Sequence, residues 1–276
     1  MSKLRLGWFT TGRGTGSLAL LRGAVEGIAA GRIDAEIGVL FSNREPGEAE
    51  PTDSLLCYAA QRGIPVVSLS SVAFRKAHGG ERSKPGEALP EWRGQYDEAV
   101  AGALAEHPFD LGVLAGYMLI TSPEFCQRYP LLNLHPAEPG GPKGTWQEVI
   151  WQLIEGRATE SGVSIHVVTP ELDEGPIATF CRYSLAAPEW DALNASEVHE
   201  LRLTQGEDLP LFTAIRAMGL ERERPLMLET LRAAAQGLVR VEAGTVLDKA
   251  GSPATPLDLT TEVEQALDSA HRKTEE

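Results

Sequence analysis

The chain has 276 residues, of which 42% are hydrophobic, and its formal net charge is −14 at pH 7. A chain of this length can bury a sizeable core and suits one full domain with an appendage, or two small domains. Its Lys and Arg residues form no long run, whereas a nucleic-acid surface needs clustered positive charge to contact phosphates. The composition therefore argues against nucleic-acid binding.

The cysteines and the N-terminus bear on the cellular compartment. Cys57, Cys126 and Cys181 are widely spaced and match no zinc pattern, and an odd number fits reduced thiols better than a disulfide framework. The N-terminus lacks a basic segment followed by a long apolar one, and no stretch approaches the roughly 20 apolar residues that span a bilayer. We therefore expect a cytoplasmic protein with no membrane partner.

Strand and helix patterns alternate along the first half of the chain. Strands are predicted at 4–9, 35–41, 64–69 and 111–115, with helices starting near 18 and covering 53–62 and 95–106. This alternation is typical of an α/β fold, here a Rossmann-like, mostly parallel sheet flanked by helices. Residues 72–92 show little periodicity and are predicted to be a loop. The sequence leaves two interpretations of this loop, a functional lid and a plain insertion.

A glycine-rich segment, residues 10–17, joins the first predicted strand to the first helix. Such a loop exposes backbone N–H groups at a helix N-terminus, which suits an anion such as phosphate. The alternative is a tight turn without a ligand. The segment does not match the dinucleotide fingerprint, because no acidic residue stands in the expected context at the end of the second strand.

Asn133 and His135 lie two residues apart in an apolar run that Pro136 ends. In a strand their side chains share one face. After a Pro- and Gly-rich segment, a capping box at Thr145 begins an amphipathic helix. Strands are predicted at 163–168 and 177–185, and the prolines and glycine between them favour a fixed loop, which carries Asp173.

The C-terminal part has a different pattern. We predict one helix, or a broken pair around Pro210, over 195–218, followed by a helix to 236, a hairpin at 239–247 and an acidic helical end. We place a main domain at 1–220, with a loop insertion at 72–93, and a helical and hairpin extension at 221–276. One role that fits this extension is contact between protomers. The sequence therefore leaves a homodimer as an alternative to a monomer.

An amide, an imidazole and a carboxylate without a nearby serine or cysteine nucleophile suggest acid–base and oxyanion chemistry on an acyl group. Asn133 and protonated His135 can both donate to an oxyanion, and Asp173 can take a proton from an attacking amine. The alternative for His135 is a structural core histidine. We expect no metal site, because His166 falls in a strand centre, where a structural role is commoner than ligation.

Three runs resemble the folate-dependent formyltransferases, namely 113–118, 131–136 and 164–177. The resemblance covers roughly residues 4–218 and is nearest to the members that use glycinamide ribonucleotide as acceptor. It implies 10-formyltetrahydrofolate as co-substrate and transfer of its formyl group to the amine of glycinamide ribonucleotide in purine biosynthesis. The implied partners are therefore small molecules.

The resemblance also implies roles for individual residues. Asn133, His135 and Asp173 would form the catalytic trio, with His135 as proton donor. The residues implied to line the formyl folate site are Arg93, Met118, Leu119, Ile120, Thr121, Asn133, Thr169, Pro170, Glu171, Leu172 and Asp173. Those implied to contact the phosphorylated acceptor are Gly14, Thr15, Gly16, Ser17, Arg202 and Gln205.

Several positions depart from the family pattern. A family asparagine falls at Gly16 or Ser17, a family arginine at Leu119, and a family glutamate at Gln205, for which Glu207 is the alternative. The residues 137–144 replace the usual Ser-Leu-Leu-Pro, which leaves the acceptor open. Hydrolysis of the same donor, formylation of an amino sugar or of methionyl-tRNA, and a non-enzymatic folate or nucleotide sensor therefore stay as alternatives. The acidic charge makes tRNA the least favoured of these.

Overall fold

The computed structural model describes residues 3–82, 87–191, 193 and 198–275. The chain divides into two compact units. The first comprises Met1–Asn133, Val167–Pro176 and Leu231–Ala254, and the second comprises Leu134–His166, Ile177–Thr230 and Thr255–Glu276.

The first unit is an α/β unit built on parallel strands. Its elements up to residue 128 are β1 Leu4–Thr10, α1 Thr15–Ala29, β2 Ala35–Ser42, α2 Glu50–Gln61, β3 Val66–Ser68, α3 Ser71–Ala77, α4 Glu91–Ala103, β4 Leu111–Leu114 and α5 Pro123–Arg128. The start of β5 Leu131–His135 completes the strand order β5-β4-β1-β2-β3, in which every neighbouring pair is parallel. The predicted α/β fold with a mostly parallel sheet is confirmed.

Aromatic side chains fill the core of this unit. Phe9 on β1 is fully buried and lies 5.8 Å from Phe41 and 5.6 Å from Phe109, measured between ring centroids. Tyr117 and Phe125 contact the same ring edge-on, at 6.1 Å each. Burying each such ring stabilises the fold by about 1.5–3 kcal/mol, so this cluster fixes β1, β2 and the segment after β4 together.

The prediction of a loop over 72–92 is wrong at both ends. Helix α3 covers Ser71–Ala77, because the Ser70 hydroxyl caps it by accepting the N–H of Ala73 at 3.0 Å. The ring of Phe74 packs edge-on against Tyr96, 5.3 Å between centroids. At the other end α4 begins at Glu91, four residues before the predicted start. Residues 83–86 lie outside the described residues.

The second unit contains most of the strands and helices that follow residue 145. Its elements are α6 Trp146–Glu155, most of β6 Glu160–Val167, β7 Ile177–Ser184, α7 Val198–Thr204, most of α8 Pro210–Ala235, β10 Leu257–Asp258 and α9 Thr260–Glu275. β7 pairs antiparallel with β6 and parallel with β10. The predicted capping box of α6 is present, since Thr145 and Glu148 bond to each other's backbone N–H groups.

The C-terminal region follows the predicted pattern with one difference. The break around Pro210 is present, because α7 ends at Thr204 and α8 begins at Pro210, and β8 Arg240–Glu242 pairs with β9 Thr245–Leu247 as the predicted hairpin. However, α8 runs without interruption past residue 220, where we placed a domain boundary. That boundary stays a prediction from sequence pattern. Residues 195–197 lie outside the described residues.

Candidate functional site

The glycine loop lies between β1 and α1 in the first unit. Thr11 and Gly12 are buried at its start, whereas residues 13–16 are exposed. Gly14 is the N-cap residue of α1 and makes no side-chain capping bond, and a Cβ added at Gly14 or Gly16 would meet no other atom within 4 Å. The first turn of α1 carries no acidic side chain. The loop thus presents the positive end of a 15-residue helix to open space, which favours an anion.

The segment after β4 carries four of the residues predicted to line the formyl folate site, Met118, Leu119, Ile120 and Thr121. Met118 is 56% exposed, whereas Leu119 packs against the aromatic core and Thr121 is buried. The backbone N–H of Met118 donates to the Thr11 hydroxyl at 2.9 Å. The carbonyl of Ile120 accepts from the Arg93 guanidinium at 2.6 Å. Hydrogen bonds to the backbone therefore hold this segment at two points.

Arg93 on α4 is fully buried and forms an ion pair with Asp97, one helical turn later, at 3.0 Å. The other carboxylate oxygen of Asp97 accepts the N–H of Ser122 at 2.6 Å. Burial raises the pKa of the Asp97 carboxyl, against the opposing effects of the Arg93 charge and the Ser122 amide. The Nε and Nη1 atoms of Arg93 are buried without a hydrogen-bond partner among the described residues. The role of Arg93 towards a folate stays a prediction.

The loop with Asp173 lies between β6 and β7 in the chain, as predicted. Asp173 is half-buried and adopts a left-handed backbone conformation, φ 55°. A Cβ at Gly175 would lie 1.8 Å from the carbonyl oxygen of Val167, so only glycine fits there. The Thr169 hydroxyl donates to the carbonyl of Glu171 at 3.0 Å. The three remaining predicted contacts in this loop, Pro170, Glu171 and Leu172, are exposed.

Strand β5 carries Asn133 and His135, as predicted. Asn133 pairs in register with Leu114 of β4 and is half-buried. In the first unit, the N–H of Val168 donates to the carbonyl of Leu131 at 2.9 Å. This bond places the start of the Asp173 loop beside the strand that carries Asn133.

His135 belongs to the second unit and is 8% exposed. Its Nε2 atom lies 3.0 Å from the carbonyl oxygen of Pro142, and the His166 ring packs edge-on against it at 6.2 Å between centroids. Because a carbonyl oxygen only accepts hydrogen bonds, Nε2 carries the proton. The loop that follows its own strand therefore supplies an acceptor for a proton on Nε2 of His135.

The segment 137–144 is itself anchored within the second unit. Glu138 accepts from the Arg182 guanidinium at 2.6 Å, and the N–H of Gly141 donates to the carbonyl of Glu138 at 2.9 Å. At the other end the Gln152 side chain donates to the carbonyl of Lys143 at 3.0 Å. The part of the chain that departs from the family pattern is thus an ordered loop against His135.

Arg202 and Gln205 lie on and just after α7 in the second unit, and both are exposed. The Arg202 guanidinium pairs with Glu155 at 2.8 Å and lies over the ring of Trp151, 5.4 Å from its centroid. Their predicted contact with the acceptor stays a prediction.

The predicted residues divide between the two units. The first unit holds the glycine loop, Arg93, the segment 118–121, Asn133 and the Asp173 loop, whereas the second holds His135, Arg202 and Gln205. Two surface depressions of about 430 and 580 Å³ in the first unit are lined by none of these residues. Among the described residues, no group of three or more His, Cys, Asp or Glu side chains is arranged to hold a metal ion.

Sequence reasoning missed three contributors to this arrangement. Asp97 follows Arg93 at the i+4 spacing of a helical ion pair, so a signal for it was present. Thr11 was noted only as part of the glycine-rich segment. The sequence does not predict the contact of His135 with the Pro142 carbonyl, because any residue at position 142 supplies the same backbone acceptor.

The chain therefore has an α/β fold with a mostly parallel sheet, in which a glycine loop follows β1, an amide and an imidazole lie on β5, and a loop with a carboxylate follows β6. The chain belongs to the formyl transferase family, whose model matches residues 19–188, more than half of the 276 residues.

Several characterised relatives are similar in sequence. The phosphoribosylglycinamide formyltransferase of Escherichia coli strain K12 is 29% identical over 165 residues, 59% of this chain and 66% of that protein. The Saccharomyces cerevisiae protein of the same name is 32% identical over 127 residues, 44% of this chain and 58% of that protein. A formyltetrahydrofolate deformylase of Escherichia coli O6:H1 is 34% identical over 91 residues, 31% of this chain and 30% of that protein. The chain thus spans less than two thirds of the length of each.

Solved structures share the fold. Glycinamide ribonucleotide transformylase 1 from Symbiobacterium toebii has a TM-score of 0.60 at 24% identity, over 89% of this chain and 93% of that one. A formyltetrahydrofolate deformylase from Pseudomonas syringae also reaches 0.60, at 19% identity, over 89% of this chain and 66% of that one. Both likenesses confirm the formyltransferase fold.

Proposed function

We propose that the protein transfers the formyl group of 10-formyltetrahydrofolate to the amine of glycinamide ribonucleotide, a step of purine biosynthesis. The observation that carries the proposal is the pair of side-chain donors on β5, Asn133 and His135, the second of which holds its proton on Nε2. The sequence similarity to proteins named phosphoribosylglycinamide formyltransferase supports the choice of acceptor.

The proposed reaction begins when the lone pair of the acceptor amine attacks the formyl carbon. The former carbonyl oxygen becomes an oxyanion, to which the Asn133 amide donates a hydrogen bond. The oxyanion then collapses to re-form the formyl carbonyl, the C–N bond to the folate breaks, and protonated His135 gives its Nε2 proton to the departing folate nitrogen and becomes a neutral imidazole. Asp173, directly or through water, takes the proton that the attacking amine loses. Transfer of this proton from Asp173 to His135, directly or through water, restores both groups.

The resting contact of His135 has a direct bearing on this mechanism. Its Nε2 proton faces the carbonyl of Pro142. The hydrogen bond to this carbonyl must therefore break before Nε2 can donate the proton to the substrate. The carbonyl keeps the proton on the reactive nitrogen until that bond breaks. The loop 137–144 therefore keeps a proton on Nε2 of His135, the nitrogen that donates in the proposed reaction.

The glycine loop supports a phosphorylated acceptor. Its residues Gly14 and Gly16 border open space, and the N-terminus of α1 adds a positive dipole without a competing acidic side chain. These features match the charge of a phosphate monoester. They favour glycinamide ribonucleotide over an uncharged amine.

Hydrolysis of the same formyl donor is the second candidate function. The sequence match to a formyltetrahydrofolate deformylase supports it, and residues 137–144, which replace the family's Ser-Leu-Leu-Pro, leave the acceptor open. In this reaction water would replace the amine, and the glycine loop would have no phosphate to bind. The two functions therefore differ in their dependence on the acceptor.

The test follows tetrahydrofolate release from 10-formyltetrahydrofolate by absorbance, with and without glycinamide ribonucleotide. Release that requires the nucleotide and disappears in His135→Ala supports the proposal. The matched control is His78→Ala, which removes an exposed histidine from the end of α3 and leaves release unchanged. Release without the nucleotide would instead identify the hydrolase, and no release in either case would refute both functions.

A further inference from the structure

Thr11 lies where β1 passes into the glycine loop, and it is 4% exposed. Its N–H donates to the carbonyl of Gly116 at 3.0 Å, and its hydroxyl accepts the N–H of Met118 at 2.9 Å. Its carbonyl accepts from the Thr52 hydroxyl at 3.2 Å. Two polar groups of one buried residue thus connect the glycine loop to the segment after β4, and a third connects it to α2.

The two segments also touch directly. Gly116 adopts a left-handed conformation, φ 71°, and a Cβ there would lie 2.6 Å from the hydroxyl oxygen of Ser17 in the first turn of α1. Only glycine permits this approach. The loop proposed to hold the acceptor phosphate and the segment proposed to line the formyl folate are therefore packed against each other.

The far end of the segment after β4 has a separate anchor. Arg93 donates to the carbonyl of Ile120, and Asp97 accepts the N–H of Ser122. Neither contact involves the glycine loop. Thr11 therefore joins the two loops by hydrogen bonds, beside the direct contact of Gly116 with Ser17, whereas the Arg93–Asp97 pair fixes the segment to α4.

We infer that Thr11 is a positioning residue that couples the acceptor site to the formyl folate site. This inference rests on the proposed function for the identity of the two ligands. The Thr11 hydroxyl fixes the backbone at Met118, while the Thr11 backbone fixes the start of the glycine loop. Binding of one substrate orders the loop that faces it and, through Thr11, lowers the ordering cost for the other.

The test compares Thr11→Val with Thr11→Ser and Thr52→Val. Valine has nearly the shape of threonine and keeps both backbone hydrogen bonds, but it leaves the Met118 N–H without its acceptor. We expect Thr11→Val to raise KM for both substrates by about tenfold, the loss associated with one unmet buried donor, with kcat changed less. Thr11→Ser keeps the hydroxyl and restores both KM values to near wild type.

Thr52→Val serves as the matched control. The Thr52 hydroxyl donates to the carbonyls of Thr11 and Gly12 and supports only the glycine loop. We expect this variant to raise KM for the phosphorylated acceptor and to leave KM for the folate unchanged. If Thr11→Val shifts one KM alone or neither, or if Thr11→Ser behaves like Thr11→Val, the coupling role is refuted while formyl transfer stands.

A second measurement does not depend on turnover. Amide hydrogen exchange at Met118 should be faster by about tenfold in Thr11→Val than in wild type, and unchanged in Thr11→Ser and Thr52→Val. If the wild type shows no formyl transfer, the proposed function fails, and exchange at Met118 still decides whether Thr11 holds the segment. Unchanged exchange in Thr11→Val would overturn the inference. If Thr11→Val does not fold, Thr11→Ala replaces it in both measurements, the KM values and the amide exchange at Met118.

Discussion

The buried pair of Arg93 and Asp97 allows a quantitative prediction for Asp97→Ala. The two side chains are 0% and 3% exposed, and the carboxylate accepts from both the guanidinium and the Ser122 N–H. Removing the carboxylate leaves a buried positive charge without compensation, which typically costs about 3–5 kcal/mol. The Ser122 N–H also loses its acceptor. We therefore expect the free energy of unfolding to fall by about 4 kcal/mol, measured by urea denaturation.

Two controls separate this effect from a general weakness of α4. Glu98 on the same helix pairs with Arg128 at 3.5 Å, but their side chains are 77% and 48% exposed. Glu98→Ala should therefore change the unfolding free energy by no more than about 0.5 kcal/mol. The double variant Arg93→Leu/Asp97→Leu removes both charges and should be more stable than Asp97→Ala. A loss below about 1 kcal/mol in Asp97→Ala would refute the electrostatic account.

Three further predictions follow from local geometry. Burial raises the pKa of the Asp97 carboxyl above its usual 3.8, so the folded protein binds the carboxyl proton more tightly than the unfolded chain does. The free energy of unfolding of the wild type should therefore contain a contribution that falls as pH rises from about 4. In urea denaturation at several pH values, Asp97→Asn should lack this contribution. Burial raises the pKa of the Cys181 thiol to about 11, so iodoacetamide at about pH 8 should label exposed Cys57 and spare Cys181 until the protein unfolds; equal labelling would contradict the described burial. Gly175→Ala places a methyl group 1.8 Å from the Val167 carbonyl oxygen. This variant should lower the free energy of unfolding by about 1–3 kcal/mol, measured by thermal unfolding. An unchanged midpoint would show that the backbone of the Asp173 loop shifts without cost.

Features governed by local pattern were predictable from the sequence. β5 ends at His135, as predicted, because its apolar run stops at Pro136, and α6 begins as predicted because Thr145 and Glu148 complete a capping box. The position of the Asp173 loop between β6 and β7 follows from its prolines and from Gly175. In each case the deciding residues lie within a few positions of one another.

Features that depend on tertiary contacts were not predictable in the same way. Helix α3 is too short for a clear period, and it is held by the Ser70 cap and by the contact between Phe74 and Tyr96, which lie 22 positions apart in the sequence. The tautomer of His135 depends on the backbone carbonyl of Pro142. Backbone acceptors are the same at every residue, so sequence alone does not reveal which one a histidine meets.

The continuity of α8 past residue 220 has a consequence for protein engineering. The residues that follow include Leu226 and Met227, whose exposed fractions are 0% and 1%, and Pro225 stands inside the same helix. An expression variant that ended at residue 220 would lose these buried groups and leave the apolar surface that they cover in contact with solvent. Residues 1–220 and the C-terminal extension are therefore produced best as one uninterrupted polypeptide, without a tag or fusion partner inserted near residue 220.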